Sequence, residues 1–448
     1  EPESLLRGAL ALELLLHAAA SFLLIGLFRR YTSPGVALVG GLCWLANPLA
    51  IFLAFQGVEA ALYALCLVLL LRVAARFAEA PDRAAPLPHV LLGGALALCF
   101  LARTEAGILA AVTCAVAPAL RGERPWSRSG LRSAFLIGAA FTLCILPWFV
   151  FCWFATGTPW QTSGVMKALW ANHFMGEMSV GQRVGRAATL VGRFWLASPW
   201  LRTLGSPFEG INTFAWAGML PAAVGLLLAA RRAEDRPLIL WSAWLLGTTI
   251  LTGAVYGLFY WDIQVWYRAQ PAILLFVLSF VWIARTGTAL AGRWRLVFRT
   301  VVPLLLLALS LREAWSFFDH PPIIYPWQRD FHSSQAEFEK LVPPGEAIGC
   351  FNAGIPAFFS ERRVVNLDGL VNGSVVPYYR AGELDRYFRD EKIRYIADEP
   401  YSLHRSERFM RQPLSLRPLA AAPLRGWFTP QRVLWEVNLD AIPDSRAE

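Results

Sequence analysis

The sequence predicts an α-helical polytopic membrane protein of about ten transmembrane helices with a small C-terminal α/β domain outside the membrane. Of its 448 residues, 56% are hydrophobic and only 16% are charged, and the mean hydropathy is +0.45. Apolar stretches long enough to cross ~30 Å of hydrocarbon recur through the first two-thirds of the chain. The last third alternates strand-like and helical patterns instead.

Ten apolar stretches are predicted to cross the membrane, each near the ~20 residues that one crossing needs. They cover residues 9–28, 35–55, 58–75, 88–102, 105–120, 134–155, 211–230, 237–258, 268–285 and 299–316. We therefore assign residues 1–316 to a transmembrane domain and 317–448 to an extracytoplasmic domain. Six of the seven cysteines lie in spans and Cys350 stands alone in the tail, so no disulfide framework or cysteine metal site is indicated.

Arginines predict the orientation, because short basic loops stay on the cytoplasmic side of a membrane. Every second loop is basic, through Arg29 and Arg30, then residues 72–83, 121–132, 231–236 and 285–299. The N-terminus, the loops at 56–57, 104, 156–210 and 259–267, and the tail are then outside the cytoplasmic membrane of a bacterium. These loops account for the net charge of +9 without a nucleic-acid partner. Because a span begins almost at residue 1 and no Met precedes it, we expect an upstream span and outer loop.

The long outer loop, 156–210, contains a helical pattern. The residues that recur at helical spacing are Val180, Val184, Ala187, Val191 and Phe194, with Arg183, Arg186 and Arg193 on the other faces. This predicts a helix lying in the membrane interface, and a solvated loop helix with an ordinary apolar face is the alternative.

The tail predicts alternating helices and strands. Residues 333–341 form an amphipathic helical pattern that ends at Pro343-Pro344-Gly345, and residues 382–390 form another helical stretch. Short β-like runs cover 347–351, 363–366, 393–397 and 433–437. Such alternation indicates a small α/β domain.

Ionisable side chains at the outer ends of the spans are the candidate site. These are Glu59, Arg103, Glu105, Lys167, Asp262 and Arg268. Charges at the edge of hydrocarbon are costly and tend to serve a pathway or a site, so their common side predicts a reaction centre there. Structural alternatives remain: Glu59 as a helix N-terminal charge, Arg103 and Glu105 as a self-neutralising pair, and Lys167 as a snorkelling side chain.

Aromatic residues surround the last of these charges. Tyr260, Trp261, Trp266 and Tyr267 form an interfacial belt, which by itself is expected in any membrane protein. Arg268 differs because it begins a span, and Arg suits the binding of phosphate in a partly dry site. Glu13 and His17 are four residues apart in the first span and are expected to satisfy each other inside the bundle.

Four short segments resemble a known family. They are Gly57-Val58-Glu59-Ala60-Ala61-Leu62-Tyr63, Arg103-Thr104-Glu105-Ala106-Gly107, Gly157-Thr158-Pro159 leading to Lys167, and Val365-Asn366-Leu367-Asp368-Gly369-Leu370-Val371-Asn372. Their order and shared sidedness are similar to bacterial glycosyltransferases of the GT-C superfamily, polytopic enzymes that use polyprenyl-phosphate-linked sugars. Each segment is short, so the resemblance depends on the set.

The resemblance implies transfer of a sugar from a polyprenyl-phosphate donor to a hydroxyl of a glycan, lipid or protein acceptor, with inversion, at the outer face. It implies substrate binding by Arg103, Lys167, Trp261, Asp262, Tyr267 and Arg268, with the cations on the lipid phosphate. Glu59 and Glu105 would be supporting catalytic groups that orient these cations, bind sugar hydroxyls or ligate a divalent cation. The family's main base lies in its first outer loop, which we expect upstream of residue 1. The alternatives are a secondary transporter and a non-catalytic membrane scaffold with an outer binding domain.

Overall fold

The computed structural model describes residues 2–56, 59–83, 85–195, 236–260, 263–319, 326–425 and 429–442. Contacts divide the chain into two compact units. The first unit comprises residues 3–150 and 178–322, and the second comprises residues 151–177 and 323–448. The second unit therefore includes a segment, 151–177, that the sequence analysis assigned to the transmembrane part.

Thirteen helices are described up to residue 319. They are α1 (Pro2–Phe28), α2 (Pro34–Leu45), α3 (Pro48–Phe55), α4 (Ala60–Glu79), α5 (Pro86–Ala102), α6 (Ala106–Leu120), α7 (Arg128–Thr156), α8 (Thr162–Met175), α9 (Val180–Thr189), α10 (Arg236–Phe259), α11 (Ala269–Ala289), α12 (Gly292–Leu296) and α13 (Val302–Asp319). Short π-helical segments, Leu190–Trp195 and Val297–Val301, follow α9 and α12, and a 3₁₀ turn, Val265–Arg268, precedes α11.

The described helices confirm the polytopic fold. Six are long and apolar enough to cross a membrane, or seven if the bent pair α2 and α3 is one span, counted over the described ranges. α5 and α6 are shorter, with 17 and 15 residues. The predicted span 211–230 lies outside the described residues. The 45° bend between α2 and α3 follows from Asn47, which caps α3, and from Pro48 at its first position.

Close helix packing positions the first unit. A Cβ added to Gly93 of α5 would stand 2.5 Å from the carbonyl oxygen of Ile137 in α7, so these two helices touch through backbone. Aromatic rings fill the space between α1, α2 and α11, with Phe28 and Phe280 centroids 4.8 Å apart and Trp44 and Phe276 centroids 5.2 Å apart. These contacts make the helix ends rigid supports for polar side chains.

The end of this unit that holds the C-terminus of α4 is basic. Arg121 follows α6 and donates hydrogen bonds to the carbonyl oxygens of Ala80, Asp82 and Arg83, just past α4. Glu79, the last residue of α4, forms an ion pair with Arg30. The acidic candidate residues lie at the other end of α4, α5 and α6. This alternation agrees with the parity of the predicted loops.

The second unit contains a five-stranded sheet. After α14 (Pro326–Leu341), its elements are β1 (Ile348–Cys350), α15 (Gly354–Phe359), β2 (Val364–Asn366), α16 (Val376–Ala381), α17 (Leu384–Asp390), β3 (Tyr395–Asp398), α18 (Pro400–Glu407), β4 (Leu416–Pro423) and β5 (Gln431–Val437). The strand order is β2-β1-β3-β5-β4, with β2, β1 and β3 parallel and β5 antiparallel to both neighbours. The predicted small α/β domain is confirmed.

β4 is the strand that the sequence analysis missed. It is an exposed edge strand with prolines at Pro418 and Pro423, and its register with β5 shifts between Pro418 and Ala420. Proline and alanine have low strand propensity, and proline is tolerated at sheet edges, so the sequence carries little strand signal here.

Both faces of the sheet are covered. Phe338 and Val342 of the α14 region pack against one face with Ile348 and Leu434. On the other face, Met166 and Trp170 of α8 belong to the same buried cluster as residues of β3, α16, α17 and β5. α8 is thus part of the core of the C-terminal domain, although it follows the last residues of α7 directly.

Candidate functional site

Arg103 links two carboxylates at one end of the first unit. Its Nη1 donates to Glu59 Oε1 at 2.6 Å, and its Nε and Nη2 donate to Glu105 Oε1 and Oε2 at 2.8 and 3.0 Å. The bond to Glu105 is a bidentate guanidinium–carboxylate pair, the stronger and more directional geometry for these groups. One arginine therefore holds the N-terminal end of α4 and the short turn between α5 and α6 together.

The two carboxylates differ in burial. The side chains of Arg103 and Glu105 are 5% and 4% exposed, whereas that of Glu59 is 46% exposed. With three ionised groups, the cluster carries a net charge of −1. Glu59 is therefore the carboxylate that a ligand from water can reach, and Glu105 is placed to hold Arg103.

Tyrosines surround the guanidinium. Its Cζ lies 5.0 Å from the ring centroid of Tyr267 and 5.9 Å from that of Tyr63. Tyr256 donates its hydroxyl hydrogen to Glu105 Oε2 at 2.6 Å, and its ring centroid lies 4.7 Å from that of Tyr267. Cation–π contact and a second donor to Glu105 both restrict how this cluster can move.

A buried polar chain extends from the cluster into the bundle. The Tyr63 hydroxyl donates to Gln270 Oε1 at 2.9 Å, and Gln270 Nε2 donates to Thr252 Oγ1 at 3.1 Å. All three residues are essentially fully buried. Sequence reasoning missed Tyr63, Tyr256 and Gln270. A signal existed for Gln270, a lone amide at the start of an apolar span, since polar groups inside a span tend to be functional.

Glu13 and His17 were expected to bond to each other, but each bonds to a different helix instead. Glu13 Oε2 accepts a hydrogen bond from the backbone N–H of Ala61 at 3.2 Å, and His17 Nε2 lies 3.1 Å from the carbonyl oxygen of Leu45. The shared face therefore points both side chains to neighbouring helices. Glu59, the N-cap residue of α4, makes no side-chain cap of its own. Glu13 of α1 caps α4 instead, and the Glu59 carboxylate binds Arg103.

The remaining predicted site residues fall in three places. Tyr267 and Arg268 are buried in the 3₁₀ turn that leads into α11, in the first unit. Lys167 is on α8, in the second unit. Trp261 and Asp262, like Gly57 and Val58 of the first short segment, lie outside the described residues. The structure thus brings Glu59, Arg103, Glu105 and Tyr267 together.

No group of three or more His, Cys, Asp or Glu residues is placed to hold a metal ion, within the parts of the chain that the structure describes. Glu59 and Glu105 share Arg103 instead. Glu59 can therefore present its carboxylate to a hydroxyl or a cation, while the charges of Arg103 and Glu105 stay buried.

The helix predicted in the outer loop is present as α9. Ser179 and Gln182 form a reciprocal capping box at its start. Arg186 donates to the carbonyl oxygens of Gly257, at 3.2 Å, and Tyr260 at the end of α10, and Ala187 packs on Gly257. Val180 and Val184 remain exposed. On the predicted apolar face, Ala187 is therefore packed, whereas Val180 and Val184 are exposed. The placement of α9 in the membrane interface stays a prediction.

Asp368 in the C-terminal domain has a structural role. Its Oδ1 accepts from the backbone N–H of Leu370 at 2.8 Å in the turn after β2. Burial raises the pKa of its carboxyl to about 6. Gly369 follows with a φ of +75°, and an added Cβ would stand 2.8 Å from Met166 Cγ, so only glycine fits this close turn against α8. Asp-Gly is a common turn sequence, and Asp368 and Gly369 form such a turn here.

Comparison with known proteins gives a family match for the tail and a fold match for the whole chain. Residues 329–434 match a family described as a domain of unknown function (DUF8728). A comparison with curated protein sequences finds no match. The crystal structure of ArnT from Cupriavidus metallidurans in the apo state is similar over 98% of this chain and 84% of ArnT, with a TM-score of 0.53 and 15% identity.

The cryo-EM structure of a mutant of the arabinofuranosyltransferase AftD from Mycobacteria is also similar, with a TM-score of 0.35 and 16% identity. This match covers 94% of this chain and 34% of AftD. The ArnT match spans both units of the present chain, including α8 and the C-terminal sheet. Together with the described helices, it shows that this protein has the fold seen in ArnT.

Proposed function

We propose that this protein is an integral-membrane glycosyltransferase that moves a sugar from a polyprenyl-phosphate donor to an acceptor hydroxyl. The observation that carries the proposal is the cluster of Glu59, Arg103 and Glu105, in a chain with the fold seen in ArnT. Such a cluster, at the ends of three helices, holds a fixed and partly exposed carboxylate, which supports a reaction between a membrane-bound donor and an acceptor hydroxyl.

Glu59 is the member of the cluster that contacts substrate in this proposal. Its carboxylate is half exposed, while Arg103 keeps one of its oxygens fixed at 2.6 Å. A fixed carboxylate accepts hydrogen bonds from sugar or acceptor hydroxyls and strengthens them as charge develops in the transition state. Glu105 and Tyr256 are positioning residues, because they bind Arg103 and each other rather than reaching water.

Cations must stabilise the leaving group. In the transfer step, the acceptor oxygen forms a bond to the anomeric carbon as the bond from that carbon to the phosphate oxygen breaks. The electron pair leaves with the lipid phosphate, and the acceptor proton passes to a carboxylate. Arg268 precedes the N-terminus of α11, whose dipole favours an anion. We assign the phosphate to Arg268. Because Arg103 is already balanced by two carboxylates, it supports Glu59 instead.

The position of the cluster relative to the basic loops indicates on which side of the membrane the proposed reaction takes place. The cluster lies at the helix ends opposite the basic loops, which the positive-inside rule assigns to the cytoplasm. The proposed reaction therefore takes place on the outer face of the bacterial cytoplasmic membrane, with the C-terminal domain on the same side. The donor there is lipid-linked, and the acceptor is a glycan, lipid or protein hydroxyl. A soluble nucleotide sugar belongs to the opposite face.

The test is transfer by the purified product of the full-length gene in lipid nanodiscs, from a panel of radiolabelled polyprenyl-phosphate sugars to cell-envelope acceptors. We expect transfer from at least one donor, and a loss of roughly a hundredfold or more in kcat/KM for Glu59→Gln, as for one lost transition-state contact. Glu79→Gln is the matched control, because Glu79 also pairs with an arginine at an end of α4. Folded protein that transfers no sugar from any donor would contradict the proposal and favour the scaffold alternative.

A further inference from the structure

Two arginines of the C-terminal domain stack on aromatic rings of α8. The Cζ of Arg405, in the last turn of α18, lies 5.1 Å from the ring centroid of Trp170. The Cζ of Arg408, one turn further, lies 5.7 Å from the ring centroid of Phe174. Residues three or four apart share a helix face, so the two stacks form adjacent steps of one surface. We call this surface, made by Arg405, Arg408, Trp170 and Phe174, the arginine ladder.

The guanidinium groups of the ladder keep their hydrogen-bond donors available. Neither Arg405 nor Arg408 forms a side-chain hydrogen bond or a salt bridge with any residue in the described ranges. Elsewhere in the same domain Arg363, Arg411 and Arg417 are each paired with a glutamate. Asp368 is close enough for its charge to act on Arg405, but it bonds to the Leu370 N–H. The ladder thus presents ten N–H donors on two groups, five on each arginine, that no residue of the described ranges accepts.

Such a surface fits a phosphate group. Guanidinium groups bind phosphate through paired, directional hydrogen bonds, and stacking on an aromatic ring reduces the freedom that binding would otherwise remove. The chemistry alone does not separate a lipid headgroup from a soluble phosphate. The connection of α8 to a membrane span favours the lipid headgroup.

α8 leaves the membrane boundary directly. α7 ends at Thr156 and α8 begins at Thr162, so residues 157–161 are the whole linker. Phe154 and Trp160, on either side of this boundary, are 85% and 53% exposed, as expected of side chains in the interfacial layer. Trp170 and Phe174 lie only 14 and 18 residues beyond the end of α7, so a short stretch of chain joins the ladder to a span. We propose that the arginine ladder is a binding site for the phosphate of an anionic membrane lipid, separate from the Glu59–Arg103–Glu105 cluster.

Lipid binding by the purified full-length protein tests this inference without any assay of transfer. The protein in neutral detergent is titrated with short-chain phosphatidylglycerol, short-chain phosphatidylcholine and inorganic phosphate, and Kd is measured by calorimetry. We expect the phosphatidylglycerol Kd to rise by about tenfold or more in the double variant Arg405→Gln/Arg408→Gln, the effect of losing one or two charge-assisted hydrogen bonds. The double variant Arg380→Gln/Arg394→Gln removes the same charge from exposed positions of the same domain and is expected to bind like the wild type.

Three results would overturn the proposal. One is equal affinity of the wild type for phosphatidylglycerol and phosphatidylcholine. A second is equal loss of binding in both double variants, which would show a nonspecific charge effect. A third is binding of inorganic phosphate as tightly as phosphatidylglycerol, which would exclude the lipid as the source of the phosphate. If the double glutamine variant fails to fold, Arg405→Lys keeps the charge and loses the planar fork, and we expect a rise of several-fold in Kd.

Discussion

Glu13 of α1 caps α4 through the backbone N–H of Ala61, at 3.2 Å, although 48 positions separate the two residues. An N-cap side chain often accepts a hydrogen bond of this kind, but that of Glu59, the N-cap residue of α4, does not. This cap from a neighbouring helix allows Glu59 to bond Arg103 instead, and it makes the position of the exposed carboxylate depend on three helices.

Replacement of Glu13 by alanine or by glutamine should separate the effect of the cap from the effect of the charge. We expect Glu13→Ala to destabilise the protein by about 1 kcal/mol, the usual value of a lost cap, and to lower kcat more than it raises KM. Glu13→Gln keeps an acceptor oxygen for Ala61 and should restore most of both properties. Thermal unfolding in detergent and initial rates of sugar transfer measure the two effects. Equal behaviour of the alanine and glutamine variants would contradict the positioning role.

Arg103 and Glu105 should behave as a coupled buried pair. We expect Arg103→Gln alone to destabilise by about 3–5 kcal/mol, because it leaves the buried Glu105 carboxylate without its cation. The double variant Arg103→Gln/Glu105→Gln removes both charges and should recover part of that loss. A double-mutant cycle of unfolding free energies measures the coupling. Additive effects of the two substitutions would show that the pair is not coupled.

Asp368 should make the C-terminal domain less stable as pH rises. Its pKa is raised from 3.8 to about 6 by burial, so the folded state binds the proton more tightly than the unfolded state. Stability is then full below about pH 4 and falls as pH rises through 6, by at most about 3 kcal/mol. Asp368→Asn keeps the acceptor for Leu370 and should remove this fall.

The buried thiol of Cys350 reports on opening of this domain. Maleimide labelling of the Cys350 peptide, quantified by mass spectrometry between pH 4.5 and 7.5, should give a pH-dependent protection in the wild type after correction for the thiolate rate. The same slope in Asp368→Asn would rule out Asp368 as its source.

Arg432 should be essential to the attachment of α14. It is fully buried and donates to the Phe331 carbonyl at 3.0 Å, to Gln335 Oε1 at 2.8 Å and to the Ala397 carbonyl at 3.1 Å. Lysine cannot span these acceptors on α14 and β3 with one ammonium group. We expect Arg432→Lys to destabilise the domain by about 2–3 kcal/mol and to speed hydrogen exchange across residues 331–335.

Arg425→Lys is the control for this prediction. Arg425 also bonds to α14, through Asp330, but it lies at the surface, so its replacement should matter much less. Similar exchange rates in both variants would show that burial of Arg432 has no special effect.

The site was partly predictable because its charges interrupt apolar patterns. Arg103 and Glu105 form the short turn between two spans, so both their pairing and their position at a helix end follow from local sequence. Glu59 joins them because α4 is antiparallel to α5, which the loop charges also predict. The partners Tyr256 and Gln270 were missed, because a tyrosine near the end of an apolar span and a single amide carry no local sign of what they contact.

The assignment of α8 was not predictable in the same way. Its sequence reads as part of an outer loop, and its hydrophobic residues do not say which surface they cover. In the structure Met166 fits over Gly369 and Trp170 receives Arg405, so α8 belongs to the C-terminal domain. Edge strand β4 was missed for the related reason that its pairing with β5, rather than its own propensity, makes it a strand.

By itself the sequence determined the membrane class, the order of the spans, the small α/β tail and the resemblance to the GT-C superfamily, because hydropathy, charge and short segments are local properties. Only the tertiary structure decided that Arg103 is shared by two carboxylates and that Glu59 is the exposed one. Those facts depend on contacts between residues 44 positions apart for Arg103 and Glu59, and 151 for Tyr256 and Glu105. Such contacts are determined by helix packing, which no local pattern records.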